Sequence, residues 1–376
     1  MTEKPSFGGN VETDRSTFSR RAVLRASLAA LAATITPSRL LAQTKPTVSV
    51  LMVNSAINPK LKAILEEEAG CTINEGAYTS SSDSVARLMA PGGSSRYDLM
   101  LSAVEFSRIP LMGPSAGQER VQPFDVGSMP NYTQIADSAH SAIGERGGKI
   151  YLVPIFFGYD TVIFNKDKVP EDDAYTNSWG AIFEDKYAGR IAWFDAAQQM
   201  IMAAGLYLGH QNPEMMDSKD LQSVIQFLTA KKKNVRAMWT DYAVGTNLMA
   251  TGEIVCTYGT VPMRVELQAK GFNVAGARVK EGVLTVTNVA YIPKDAKNPK
   301  PAQAIVNAML GGRYGSELVK ATGYLSTSKL GAAPFTPEQR KALGYGVLDG
   351  SVKHHGLLFP AQMNAWLEGW NRVKSS

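Results

Sequence analysis

Cysteine and histidine are scarce in this sequence of 376 residues, which holds two cysteines and four histidines. Cys71 and Cys256 lie far apart, each beside apolar residues, a setting typical of buried thiols, although it leaves a disulfide open. The histidines never stand at metal-ligand spacing from cysteine or carboxylate, so no metal and no cofactor is expected. His354 and His355 are predicted to form an exposed loop pair.

Signals of catalysis and of nucleotide binding are also missing. No glycine-rich phosphate loop follows a strand, and Gly92-Gly93-Ser94-Ser95 predicts only a turn. The few histidines supply no plausible partner for a Ser/His/Asp or Cys/His arrangement, so we do not expect an enzyme. Repeats and low-complexity tracts are absent, and a composition of 44% hydrophobic and 19% charged residues is typical of a globular protein.

Basic charge is concentrated at the N-terminus. Residues 1–43 hold six of the 39 basic and three of the 34 acidic side chains, which leaves the rest of the chain nearly neutral. The single basic run, Lys231-Lys232-Lys233, predicts the solvated end of a helix. Nucleic acid is therefore not expected as a partner.

The N-terminal residues have the layout of an export signal. The pair Arg20-Arg21 follows Ser19 and directly precedes the weakly apolar stretch 26–35, as in twin-arginine signal peptides. This stretch is too short for a stable membrane span. We predict a signal peptide over residues 1–42, cleaved near Ala42, and a mature protein that works in the periplasm.

Strand and helix patterns alternate along the rest of the chain. Residues 48–53 predict a strand, and Asn58-Pro59 begins an amphipathic helix that Gly70 ends. The next patterns complete a βαβαβ unit, with strands at 71–75 and 97–102 and a helix at 82–89.

A second series of elements begins with the strand-rich segment 155–165. Ser218 and Asp241 are predicted N-caps, because their side chains can accept backbone N–H bonds that a first helical turn leaves unpaired. The predicted elements are strands at 190–194, 253–258 and 283–293 and helices at 196–208, 220–231, 242–250 and 300–310.

Two α/β lobes are the fold that this pattern predicts. The chain passes between them within 153–158 and again within 284–292, which makes a hinge that permits closure around a ligand. We predict lobe 1 from 44–155 plus 287–332 and lobe 2 from 156–286 plus 333–376, with a ligand cleft between them.

Several short phrases run in order over residues 47–330: Tyr97-Asp98-Leu99-Met100, Val153-Pro154, Asn165-Lys166-Asp167, Ser178-Trp179, Tyr207-Leu208-Gly209, Gly252-Glu253, Lys280-Glu281-Gly282 and Ile292-Pro293-Lys294-Asp295. Together they resemble the periplasmic polyamine-binding proteins of ABC importers and their wider family of solute-binding proteins. The resemblance implies a type II periplasmic binding protein fold, a small-molecule solute as ligand and a membrane permease as partner. We expect a monomer.

The same resemblance indicates where ligand-bearing residues should stand. It implies two acids after the buried strand of lobe 2, where Asp195 remains and Gln199 replaces the second. It implies an aromatic residue and an aspartate on the hinge strand, where Val286 and Asn288 stand. Because a polyamine needs carboxylates for its ammonium groups, we expect polyamines to bind weakly or not at all.

The candidate ligand-binding residues describe a polar, mostly uncharged cleft. They are Asn54, Ser55, Ser102, Phe157, Asp195, Gln199, Tyr242, Tyr258, Thr260, Arg264, Thr287, Asn288 and Tyr324. Arg264 either pairs with a ligand carboxylate or phosphonate or lies at the surface, and Asp195 either faces the ligand or caps the following helix.

A carboxylate, amino-acid-like or phosphonate solute is therefore the favoured ligand. Two alternatives stay open. One is genuine spermidine or putrescine binding, and the other is ferric iron, for which Tyr258 and Tyr324 are the candidate ligands.

Overall fold

The computed structural model describes Gly8 and residues 45–78, 81–139, 144–170 and 172–376. The predicted signal peptide, apart from Gly8, lies outside the described residues. None of the helices in these ranges combines the length and the apolar character that crossing a bilayer requires.

Helices and strands alternate as the sequence predicts. The α-helices are α1 (Pro59–Ala69), α2 (Ser81–Met89), α3 (Val104–Met112), α4 (Ala197–Tyr207), α5 (Ser218–Lys231), α6 (Tyr242–Ala250), α7 (Val261–Ala269), α8 (Pro299–Met309), α9 (Gly312–Thr322), α10 (Lys329–Ala332), α11 (Pro337–Leu343) and α12 (Met363–Ser375). The strands are β1 (Thr47–Met52), β2 (Thr72–Ala77), β3 (Leu99–Ala103), β4 (Val121–Gln122), β5 (Glu145–Arg146), β6 (Lys149–Ile150), β7 (Val153–Asn165), β8 (Ile191–Phe194), β9 (Val235–Trp239), β10 (Cys256–Thr260), β11 (Val274–Gly276), β12 (Val283–Pro293), β13 (Leu325–Ser326) and β14 (His354–Gly356).

Helix ends follow the predicted capping chemistry at most positions. The Asn58 side chain accepts hydrogen bonds from the backbone N–H groups of Lys60 and Leu61, both at 3.0 Å, and Gly70 ends α1 in the left-handed conformation. Asp241 caps α6, as predicted. The prediction for Ser218 is wrong by one residue, because the Asp217 carboxylate caps α5 and Ser218 is already helical.

The main sheet joins two parallel sections through an antiparallel centre. Its strands run in the order β2-β1-β3-β12-β7-β10-β8-β9, with β4, β11, β13 and β14 attached to the two central strands. Strands β1, β2 and β3 are parallel, and so are β8, β9 and β10, whereas β12 and β7 pair antiparallel with each other and with their outer neighbours. The two long strands therefore connect two α/β halves.

Both central strands contribute to separate hydrophobic cores. On β7, Ile155 packs with β1, β3 and the helices α1, α8 and α9, whereas Ile163 packs with β8, β10 and the helices α4 and α5. On β12, Ala290 belongs to the first core and Leu284 to the second. Each half thus buries its own apolar surface, while the strands that connect them are common to both.

Three local predictions meet different outcomes. Cys71 and Cys256 are buried free thiols, one in each core, as predicted. The histidine pair is not a loop: it begins β14, which pairs with β12. Lys231 is not simply solvated either, because its ammonium donates to the carboxylate of Glu184 at 2.9 Å.

Candidate ligand-binding site

Polar residues meet where the parallel strands of both halves end. Ala103, the last residue of β3, pairs with Asn288 of β12, and Thr260, the last residue of β10, pairs with Asp160 of β7. In open α/β sheets, ligands bind beyond the carboxyl ends of the parallel strands. A ligand site is therefore expected beside the middle of β7 and β12.

The two faces of β7 carry different chemistry there. Side chains alternate along a strand, so Phe156, Gly158 and Asp160 share one face and Phe157 and Tyr159 share the other. A Cβ atom on Gly158 would lie 2.7 Å from the Tyr324 ring, which places this ring over Gly158. We call the face with Asp160 and Tyr324 the front face, and the opposite one the rear face.

Asp160 is a buried carboxylate on the front face. It is 7% exposed and accepts a hydrogen bond of 2.6 Å from the Tyr258 hydroxyl, which is itself fully buried. Burial raises the pKa of Asp160 to about 7, and the bond from Tyr258 partly opposes this shift. In the described ranges no lysine, arginine or histidine forms an ion pair with it.

Glu105, in the first turn of α3, is a second buried acid. It is 8% exposed, and its Oε2 atom has no hydrogen-bond partner in the described part of the chain. Burial raises the pKa of Glu105 to about 8, although backbone N–H groups of Glu105 and Thr287 lower it. The Asp160 charge raises it further, so the two carboxylates interact electrostatically.

Tyrosine side chains surround these acids. Burial, and to a smaller extent the Asp160 charge, raise the pKa of Tyr242, and the same two causes bring that of Tyr324 to about 12. Tyr242 is 48% exposed, and its ring centroid lies 6.2 Å from that of Phe194. Tyr78, which the sequence reading missed, interacts electrostatically with Tyr324. The front face therefore offers phenol rings beside negative charge.

The structure brings several predicted site residues to this region, but with internal partners. Thr260 is buried and caps α7, and the Ser102 hydroxyl hydrogen-bonds that of Tyr291 at 3.1 Å. Asn288 is 8% exposed. Asn54 is exposed in the turn after β1, and the Ser55 hydroxyl beside it is buried without a hydrogen-bond partner in the described residues.

Other predicted residues lie elsewhere in the fold. Phe157 and Thr287 point to the rear face, where they line a cavity of about 50 Å³, and Phe156 rather than Phe157 contacts Tyr324, with ring centroids 5.1 Å apart. Gln199 is in the first turn of α4 and half-buried. Whether any of these side chains touches a ligand stays a prediction.

Asp195 has a structural role that neither alternative foresaw. It does not cap α4, whose N-cap residue is Ala196. Its carboxylate accepts a 2.7 Å hydrogen bond from the indole N–H of Trp370 and pairs with Lys374 at 3.2 Å. Both partners belong to α12, so Asp195 holds the C-terminal helix against the end of β8.

Arg264 lies on the rear side of β7. A Cβ atom on Gly276 would stand 3.3 Å from the Thr161 side chain and 3.7 Å from that of Arg264, so both side chains occupy the side opposite to Asp160. The guanidinium donates a 3.4 Å hydrogen bond to the Ala342 carbonyl in α11. It therefore adds no positive charge to the front face.

The mostly uncharged cleft stays a prediction. Asp160 and Glu105 are two buried carboxylates that interact electrostatically, and neither was among the candidates from the sequence. A signal for Asp160 existed, because an aspartate inside a long apolar strand is unusual and charged residues are rarely buried without a partner.

Comparison with known proteins decides the family. The family model for bacterial extracellular solute-binding proteins matches residues 60–342. This chain belongs to that family. Among curated relatives of this solute-binding protein, the putrescine/cadaverine-binding protein of Pseudomonas aeruginosa is 25% identical over 296 residues, which cover 74% of this chain and 78% of the relative.

Solved structures agree on the fold of this solute-binding protein. The spermidine/putrescine ABC transporter substrate-binding protein PotD from Streptococcus pneumoniae superposes with a TM-score of 0.72 at 17% identity, covering 88% of this chain and 98% of that one. The PBP MotA from A. tumefaciens B6, in complex with glucopine, gives 0.65 at 16% identity, covering 87% and 99%. The predicted two-lobed type II periplasmic binding protein fold is confirmed, whereas the exact lobe boundaries stay a prediction.

Proposed function

We propose that this solute-binding protein captures a small organic solute with a protonated amine and delivers it to the permease of an ABC importer. The observation that carries the choice of solute is Asp160, a buried carboxylate with a tyrosine hydroxyl as its only hydrogen-bond donor in the described residues. Burying a carboxylate without a cation is unfavourable, and an ammonium group would relieve that cost.

The surroundings of Asp160 support a cation over an anion. A ligand carboxylate or phosphonate at the front face would meet Asp160 and Glu105, and like charges in a site of low polarity repel strongly. Arg264, the cation that the sequence suggested for such a ligand, lies on the other side of β7. A purely anionic solute is therefore disfavoured, whereas an amino-acid-like solute keeps the required ammonium.

Aromatic rings add a second reason. Tyr324 and Tyr242 interact electrostatically with Asp160, and phenol rings attract cations through their quadrupole. Glu105, with its unpartnered Oε2 atom, is a candidate partner for a second amine. Putrescine binding, which the sequence left as an alternative, thus gains support, in line with the putrescine/cadaverine-binding relative from Pseudomonas aeruginosa.

The residues around the two candidate tyrosines give ferric iron little support. Iron sites combine tyrosine with clustered histidine and carboxylate side chains, and the described residues contain no group of three or more His, Cys, Asp or Glu side chains that could hold a metal ion. We therefore do not retain the iron alternative.

Cellular context completes the proposal. Membership of the family supports a role outside the cytoplasm, and the twin-arginine pattern in residues 1–42 supports export to the periplasm. We expect the mature protein to act as a monomer without enzymatic activity.

A series of four-carbon solutes tests the charge of the ligand. Isothermal titration calorimetry would compare 1,4-diaminobutane, butylamine, 4-aminobutyrate and succinate with the purified mature protein. We expect binding by at least one of the amines and none by succinate. Tight binding of succinate without binding of any amine would overturn the choice of solute class.

Asp160→Asn tests the residue. Because asparagine can still accept the bond from Tyr258, the fold should survive, and amine affinity should fall by about 100-fold since a buried charge pair is lost. The matched control is Asp125→Asn, which removes an exposed carboxylate. Equal losses in both variants would contradict the role of Asp160.

A further inference from the structure

A large cavity with basic walls lies on the rear side of β7. Its volume is about 790 Å³, and residues of α10, α11 and the segment 345–352 line much of it. A Cβ atom on Gly344, next to this segment, would overlap the Tyr159 ring, and the Tyr159 hydroxyl donates to the Leu343 carbonyl. Since Tyr159 and Asp160 point to opposite faces, the cavity is separate from the front face.

The charge of its lining is mostly positive. Three parts of the chain bring cations to it: Arg278 before β12, Lys329 at the start of α10, and Arg340 with Lys341 on α11. The one acid in the lining is Asp349, which accepts a hydrogen bond from the Ser351 backbone N–H. The net charge of the lining is therefore strongly positive.

Only one of these cations forms an ion pair in the described residues. Lys329 pairs with Asp137 at 3.4 Å, whereas Arg278, Arg340 and Lys341 take part in none, although Arg340 interacts electrostatically with Glu338 on the same helix. Arg340 is half-buried, so water screens its charge less than that of an extended surface side chain. The positive charges around this cavity repel one another, and a bound anion would offset that repulsion.

We propose that this rear basic cavity binds a small multivalent oxyanion with phosphate or carboxylate groups. Guanidinium groups donate paired N–H bonds to the oxygens of either group, and Arg278 and Arg340 reach the cavity from separate segments. The proposal is independent of the amine site, because it concerns the other face of β7.

Calorimetric titration with sodium pyrophosphate and with citrate tests it, each measured against sodium chloride of the same ionic strength. The variant R340Q/K341Q removes two lining cations. The matched control K232Q/K233Q removes the same charge from the end of α5, outside the lining. We expect one site per chain, affinity about tenfold weaker in R340Q/K341Q, and affinity within about twofold of wild type in the control.

Arg278→Gln is the second probe, since it changes an exposed loop residue and should fold even if the double variant does not. Binding of one anion only would still support the site and would tell phosphate from carboxylate recognition. Two results would overturn the proposal: no binding of either anion beyond the chloride background, or equal losses in the lining variants and in K232Q/K233Q. Amine binding by the front face is read separately, so failure of one proposal does not affect the other.

Discussion

Asp160 and Asp195 both lie in or next to strands of the main sheet, but their surroundings differ. Asp160 stands within β7 and receives one hydrogen bond, from Tyr258. Asp195 follows β8 and is bound by Trp370 and Lys374 of the C-terminal helix. The carboxylate that the family resemblance indicated is thus bound by internal partners, whereas the one that we propose as the ligand's partner has a single hydrogen bond in the described residues.

The pH dependence of amine binding should give the largest effect. With a pKa of about 7, Asp160 is largely protonated at pH 6 and ionised at pH 8, and Glu105, at about 8, follows. An alkylamine stays protonated over this range, so affinity should rise with pH. For an acid with a pKa of about 7 that must lose its proton, the rise is about tenfold in total between pH 6 and 8, and a second acid of higher pKa would add to it. Calorimetry at pH 6, 7 and 8 measures this rise.

The same titration should weaken or vanish in Asp160→Asn, leaving only the part due to Glu105. An affinity of the wild type that does not change between pH 6 and 8 would mean that the ligand does not require the ionised acids. Affinity that falls with rising pH would point to an anionic solute.

Gly158→Val tests the arrangement beside Asp160. The new side chain would clash with the Tyr324 ring, which a Cβ atom alone already meets at 2.7 Å. We expect a loss of about 1–3 kcal/mol in the free energy of unfolding and clearly weaker amine binding. Urea unfolding and calorimetry measure the two effects. The control is Gly127→Val, where an added Cβ atom would come no closer than 3.4 Å to another group, the Asp125 carboxylate. Unchanged amine binding would show that Tyr324 takes no part in the site.

Trp370→Phe tests the structural role of Asp195. It removes the indole N–H that Asp195 accepts, so the free energy of unfolding should fall by about 1–2 kcal/mol, while amine affinity stays unchanged. Trp366→Phe, on the same helix and with no such bond to Asp195, controls for the loss of ring volume. A loss of amine binding in Trp370→Phe, but not in Trp366→Phe, would indicate that Asp195 contributes to ligand binding.

Lys374→Gln should have the smallest effect. The Lys374 side chain is 37% exposed, and ion pairs of this kind contribute little in water. We expect a change in unfolding free energy of about 0.5 kcal/mol or less. A change comparable to that of Trp370→Phe would mean that charge, and not the indole bond, holds α12 in place.

Regular structure was predictable from the sequence where apolar periodicity and caps agree. The strand predicted at 283–293 coincides with β12, and the helix that begins at Pro59 ends at Gly70 as expected. These features depend on neighbours in the chain, and so does the capping of α6 by Asp241.

The site was less predictable, because its chemistry depends on distant segments. The residues near Asp195 in the sequence do not indicate its partner Trp370, which lies in α12. Asp160 was read as one more residue of a strand, although its partner Tyr258 stands on β10. For Arg264 the sequence left a ligand contact and a surface position open, because the side of β7 on which it lies is set by three-dimensional packing.

The positions of the two thiols allow each half of the protein to be monitored separately. Cys71 lies in one core and Cys256 in the other, and burial raises the pKa of both thiols, so alkylating reagents should react slowly while the chain is folded. Mass spectrometry of protein alkylated at increasing urea concentrations would show which cysteine becomes reactive first. Simultaneous labelling would indicate that the cores melt together, and staggered labelling would reveal which half opens on its own.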